Sequence, residues 1–125
     1  MKMISTTDAP PPAGHYSQAI VCGGIAYVAG QLAGNPAAPG EHPGDAGAQT
    51  RQALANVAAI LEAAGSGLGH VIQMTIYITD MALWPAVNEA YAWVMGDHRP
   101  ARAIVPVGPL NGDYVIEIQT IAALP

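Results

Sequence analysis

The chain has 125 residues, room for one domain whose folding hides about two-thirds of the unfolded surface. Apolar residues make up 51% and charged residues only 10%, well below the roughly 25% of ordinary soluble domains, so part of the surface is expected to be covered by further copies of the chain. The formal charge is −5, with only Lys2, Arg51, Arg99 and Arg102 as basic side chains; this argues against a nucleic-acid partner, which several cations must grip, and excludes a basic membrane-surface helix.

Cys22 is the only cysteine, so no intrachain disulfide or cysteine metal cluster can form. His15, His42, His70 and His98 lack the short spacings of metal ligands, and neither a metal nor another cofactor is expected. The start "MKMISTTDAPPP" has no apolar run, and no stretch reaches the 18 apolar residues of a membrane-crossing helix. The expected location is the cytoplasm.

Residues 15–31, "HYSQAIVCGGIAYVAGQ", set two apolar runs around Gly23-Gly24, the pattern of a β-hairpin. Residues 32–45 carry prolines and glycines that break regular structure and predict an exposed loop. A helix is predicted from the N-cap Asp45 to Gly65. Its inner face holds Leu54, Val57, Ala58, Leu61 and Ala64, with Gln52, Asn56 and Glu62 off that face.

"HVIQMTIYITD", residues 70–80, predicts a strand, alternating Val71, Gln73, Thr75 and Tyr77 on one face with Ile72, Met74, Ile76 and Ile78 on the other. Pro85 suits the first turn of a second helix with the stripe Val87, Ala90, Tyr91 and Val94, ending before Gly96. Two closing strands, 102–108 and 114–122, flank Asn111-Gly112 and are expected to form a second hairpin. The fold class is therefore α+β, in the order ββαβαββ: one domain over residues 1–125 with a mixed sheet and both helices on one face. The other face is left for a second subunit or for solvent.

Two charges stand out on the closing strands. "PARAIVPVGPL" places Arg102 in an apolar run, and "YVIEIQTIA" places Glu117 among isoleucines. With a two-residue turn at Asn111-Gly112, Arg102 and Glu117 project on the same face; a slip centred on Pro109-Leu110 sets them directly opposite, still on one face. One reading is a rim ion pair contributing about 0 to 1 kcal/mol. The other is a reaction site, in which the planar fork of Arg102 takes the carboxylate of a small substrate and Glu117 handles a water.

The segments "APPPAGHYSQAIVCGGIAYVAGQL", "QTRQALANVAAILEAAGSGLGHVIQMTIYITDMALWPAVNEAY", "PARAIVPVGPL" and "IEIQTIA" together resemble the reactive intermediate deaminase (RidA, or YjgF) family, from about Ile4 to Ala122. The resemblance implies a chorismate-mutase-like homotrimer with sites in the clefts between subunits. It also implies cofactor-free hydrolysis of enamines and imines such as 2-aminoacrylate, released by pyridoxal-phosphate enzymes, to keto acids and ammonia.

By position, the resemblance gives Arg102 the substrate carboxylate and Glu117 the water, and it makes Tyr16, Gly30 and Asn88 pocket residues. Ala29 stands where a serine is usual, Ile104 where a small residue or cysteine is common, and His15 where proline is common. The first two make the pocket more apolar, so the departures bear on specificity more than on chemistry. The competing readings are a module that binds small carboxylates without turnover and a pathway-specific hydrolase on the same scaffold.

Overall fold

A computed structural model describes residues 1–125. Eight elements run along the chain: β1 (Lys2–Ile4), β2 (Ala19–Cys22), β3 (Ile25–Gln31), α1 (Ala46–Ala63), β4 (Val71–Ile78), α2 (Trp84–Met95), β5 (Ala101–Pro106) and β6 (Ile116–Ala123). The expected order ββαβαββ holds, preceded by the three-residue β1, which pairs antiparallel with β2 and is too short to announce itself in sequence. The six strands form one mixed sheet in the order β1-β2-β3-β6-β4-β5.

Local chemistry sets the element boundaries. Gly23 and Gly24 sit at φ 60° and 76°, the conformation that a two-residue turn between twisted antiparallel strands demands and that side chains with a Cβ resist. Asp45 caps α1 by accepting a hydrogen bond from the Ala48 amide at 2.9 Å, and Pro85 lies in the first turn of α2. The inner faces of both helices meet one side of the sheet, where Leu54, Val57, Ile60, Leu61 and Val87 pack on Met74, Ile76, Ile78, Ile116 and Ile118, all without exposed surface. Each such side chain contributes about 1.5–3 kcal/mol of burial.

Three expectations are corrected. The last two strands do not form a hairpin: β6 enters the middle of the sheet between β3 and β4, and β5 pairs parallel to β4 at the edge. The parallel pairing follows from α2, a crossover long enough to return the chain to the same end of the sheet. The apolar pattern then decides position. Ile116, Ile118, Thr120 and Ala122 are all buried, so β6 is central, whereas β5 carries Arg102 and Pro106, tolerated at an edge where a missing N–H and a charge do no harm. The connection between them crosses the end of β4, where Val107 N–H donates to Ile78 O at 2.8 Å and Thr79 N–H donates to Val115 O at 3.1 Å.

The alternation expected in β4 also shifts. A bulge between Val71 and Gln73 puts Val71 in the core with Met74, Ile76 and Ile78, and turns Ile72 outward. Asn56, expected off the inner face of α1, is buried. It donates to Leu32 O at 3.1 Å and Gly34 O at 2.8 Å, and accepts from Gln52.

Two more buried amides work in the same way. Gln49 donates to Gly44 O and Asp113 O and accepts from Val115 N–H at 2.9 Å, joining α1 to the approach to β6. Gln18 accepts from Thr6 N–H at 2.7 Å and donates to Pro10 O at 2.9 Å, fastening the N-terminal segment. Replacing Gln49 by Ala strands three backbone groups, so Gln49→Ala is expected to cost about 2–3 kcal/mol. In urea denaturation the midpoint should fall with an unchanged slope; a loss below about 0.5 kcal/mol would mean that the amide is not a tether.

Candidate active site

Arg102 projects from β5 on the helix-covered side of the sheet, because it stands in register with buried Met74. Its Nη1 donates to Asn88 Oδ1 of α2 at 2.9 Å. The guanidinium carbon lies 4.8 Å from the ring centre of Tyr91 and 5.9 Å from that of Trp84, so two aromatic faces attract the charge and hold its plane. No carboxylate answers it: the one side-chain ion pair in the chain joins exposed His42 and Asp113 at 3.8 Å. Arg102 lines a concavity of about 530 Å³ together with Asn88, Tyr91, His98, Arg99 and Pro100. Burial pushes the Tyr91 phenol above its ordinary value of 10.0, with the Arg102 charge pulling against it, so the ring stays neutral.

Glu117 belongs to a different surface. It pairs with Tyr77 on β4, between Ile116 and Ile118 that point into the core, and therefore projects from the face without helices. There it lines a recess of about 260 Å³ with Tyr16, Gly30, Asn111 and Tyr114. Gly30 lies at the bulge of β3, and a Cβ added there would overlap Oε1 of Glu117, so the glycine is needed for close approach rather than for a left-handed backbone. The Tyr16 hydroxyl accepts from Ala13 N–H at 3.2 Å, which sets the ring as one wall of the recess.

The predicted site residues thus fall into two groups. Tyr16, Gly30 and Glu117 meet in one recess, and Asn88 and Arg102 meet in the other. The shared face expected for Arg102 and Glu117 is corrected: they project from opposite faces, with β4 between their strands and three residues of offset along it. Their Cα atoms are about 10 Å apart across the strands and about 10 Å along them. The hairpin assumption produced the error, since inserting a strand between two others changes the parity.

Ala29 and Ile104 line neither recess. Ala29 N–H donates to Gln18 O at 2.9 Å within the bulge, and Ile104, in register with Ile76, packs against the edge of the core. Sequence reasoning missed the clamp on Arg102, because Tyr91 reads as one of the apolar residues of α2 and Trp84, beside that helix, as a core or interface residue. The signal available was the i, i+4, i+7 spacing of Trp84, Asn88 and Tyr91, which puts all three on one helical face.

A helix-backed mixed sheet with a cationic recess on one side and a carboxylate recess on the other defines an α+β protein. The family model described as endoribonuclease L-PSP matches residues 6–124. A RutC family protein of Pyrococcus horikoshii is 46% identical over 121 residues, which are 97% of this chain and 96% of that one. The 2-iminobutanoate/2-iminopropanoate deaminase of Escherichia coli is 40% identical over 124 residues, 97% of this chain and 96% of the enzyme. The crystal structure of E. coli TdcF with bound serine superposes with a TM-score of 0.92 at 37% identity, covering 98% of each chain. The chain belongs to the reactive intermediate deaminase (RidA/YjgF) family.

Gly30→Ala should expel the Glu117 carboxylate from its recess, since the flexible side chain yields more easily than two strands do. A crystal structure of the variant is expected to show Glu117 in another rotamer, with Tm within about 4 °C of the parent. An unmoved Glu117 together with a larger fall in Tm would show that the backbone gives way instead.

Proposed function

We propose that this protein hydrolyses small imines and enamines of 2-amino acids to 2-oxo acids and ammonia, at a site formed where the Arg102 recess of one copy meets the Glu117 recess of another. The observation that carries the reading is the guanidinium of Arg102, held in place by Asn88, Tyr91 and Trp84 yet without a carboxylate partner. A charge so arranged is ready for an organic acid. The names of relatives support the reaction: one acts on 2-iminobutanoate and 2-iminopropanoate, and TdcF binds serine, which carries a carboxylate beside a nitrogen-bearing carbon.

The separation of the two charges supports a composite site. Arg102 and Glu117 lie on opposite faces of one sheet, so a single small molecule reaches both only if two chains contribute. Surface for such a contact is present: β5 is an edge strand, and the face without helices exposes Met3, Tyr27 and Ile72. This is the composition of a surface that a second copy covers. The same reading sets aside RNA cleavage, despite the name of the family model, because four basic residues against nine acidic ones offer little to a phosphate backbone.

In the proposed reaction Arg102 holds the substrate carboxylate with two N–H donors and so fixes the C=N carbon beside a water at Glu117. Glu117 accepts a proton from the water as its oxygen adds to that carbon, giving a carbinolamine. Glu117 returns that proton to the nitrogen, the C–N bond breaks and ammonia leaves, and the hydroxyl proton passes to Glu117 and on to solvent as the 2-oxo group forms. No redox change occurs and no cofactor is consumed.

The test supplies imine with a serine or threonine dehydratase and follows 2-oxo acid formation. Glu117→Gln is expected to lower the rate about 10²–10⁴-fold while retaining affinity for a 2-oxo acid. Arg102→Ala should raise KM, and Arg102→Lys should restore only part of the loss, since an ammonium cannot make the paired hydrogen bonds. A wild-type rate equal to buffer, or an unaffected Glu117→Gln, would remove the catalytic reading and leave a carboxylate-binding module.

A further inference from the structure

The concavity that receives Arg102 also receives Arg99, so half of the chain's four basic side chains line one depression. Arg99 stands three residues before Arg102, at the approach to β5, a span of about 10 Å in extended chain. It is exposed and forms no ion pair, although Asp97 is two residues away. The imidazole of His98, half-buried and also in the lining, is anchored with Nε2 2.8 Å from Val71 O. No acidic residue lines this concavity. In a chain with net charge −5, two guanidiniums without carboxylate partners at one concavity attract anions, and an anion charged at both ends meets both at once.

We propose that the acid handled by this protein carries a second carboxylate, and that Arg99 receives it while Arg102 holds the carboxylate next to the reacting carbon. This rests on the deaminase reading above and narrows it to imines of four- or five-carbon dicarboxylic amino acids. Both arginines line the depression three residues apart, and each side chain is long enough to meet a carboxylate at one end of such a molecule. The chemistry balances as before: water adds to C=N, the C–N bond breaks, and the products are ammonia and a 2-oxo dicarboxylate. The reaction supplying the substrate would be one that forms a C=N bond from a dicarboxylic amino acid by oxidation.

The test titrates the full-length protein with 2-oxoglutarate and 2-oxobutanoate by calorimetry, comparing wild type, Arg99→Ala and Arg99→Glu. Wild type is expected to favour 2-oxoglutarate about tenfold, the roughly 1.4 kcal/mol of one added charge-assisted contact. That preference should fall to about one in Arg99→Ala and reverse in Arg99→Glu. A preference unchanged by either substitution, or equal loss of both ligands, overturns the assignment. If 2-oxobutanoate binds and a monocarboxylic imine is turned over without any dicarboxylate preference, only the Arg99 assignment fails. Binding of neither ligand with no turnover defeats the deaminase reading as well.

Discussion

The insertion of β6 between β3 and β4 decides on which side of the sheet each candidate site residue lies. It buries Ile116, Ile118 and Thr120 against the helices, which forces Glu117 to the opposite face. It also displaces β5 to the edge, where Arg102 can turn under α2 without crossing the core. Had β5 and β6 paired as a hairpin, the two charges would have neutralised each other on one surface. The central strand keeps them apart, and each keeps its polar atoms for something outside its own recess.

Rigidity comes from polar groups placed where apolar ones are the rule. Gln18, Asn56 and Gln49 are almost fully buried, and each satisfies backbone groups of irregular segments that have no strand partner of their own. The segments so fastened, around residues 6–10, 32–34 and 111–115, contribute walls to the Glu117 recess. A buried amide left unpaired costs about 1–3 kcal/mol, so these loops are held at a well-defined distance rather than merely collapsed onto the core. On the other face, the aromatic rings of Tyr91 and Trp84 do the same for Arg102.

Much of this was legible in the residues because it is local. The Gly23-Gly24 turn, the Asp45 cap, Pro85 in the first turn of α2 and the apolar stripe of α1 follow from rules that act over a few residues. The family resemblance also picked out Tyr16, Gly30, Asn88, Arg102 and Glu117, all of which line a recess. What could not be read was non-local. Strand order depends on which strand best tolerates burial on both sides, and the face of a residue depends on that order. The bulges at Val28/Gln31 and Val71/Gln73 each change side-chain parity, the first flagged only by Gly30 and the second by no residue around it. Asn56 looked like a surface residue because its partners, Leu32 O and Gly34 O, are backbone atoms more than twenty residues away.

In the proposed site Arg102 and Glu117 act together only across two chains. Mixing subunits exposes this: Arg102→Ala and Glu117→Gln chains, each far slower than wild type at low substrate, are unfolded, combined in equal amounts and refolded. Recovery of about one quarter of the wild-type rate is expected, the share of contacts at which random pairing sets an intact Arg102 against an intact Glu117. A mixture no more active than its separate components would contradict it.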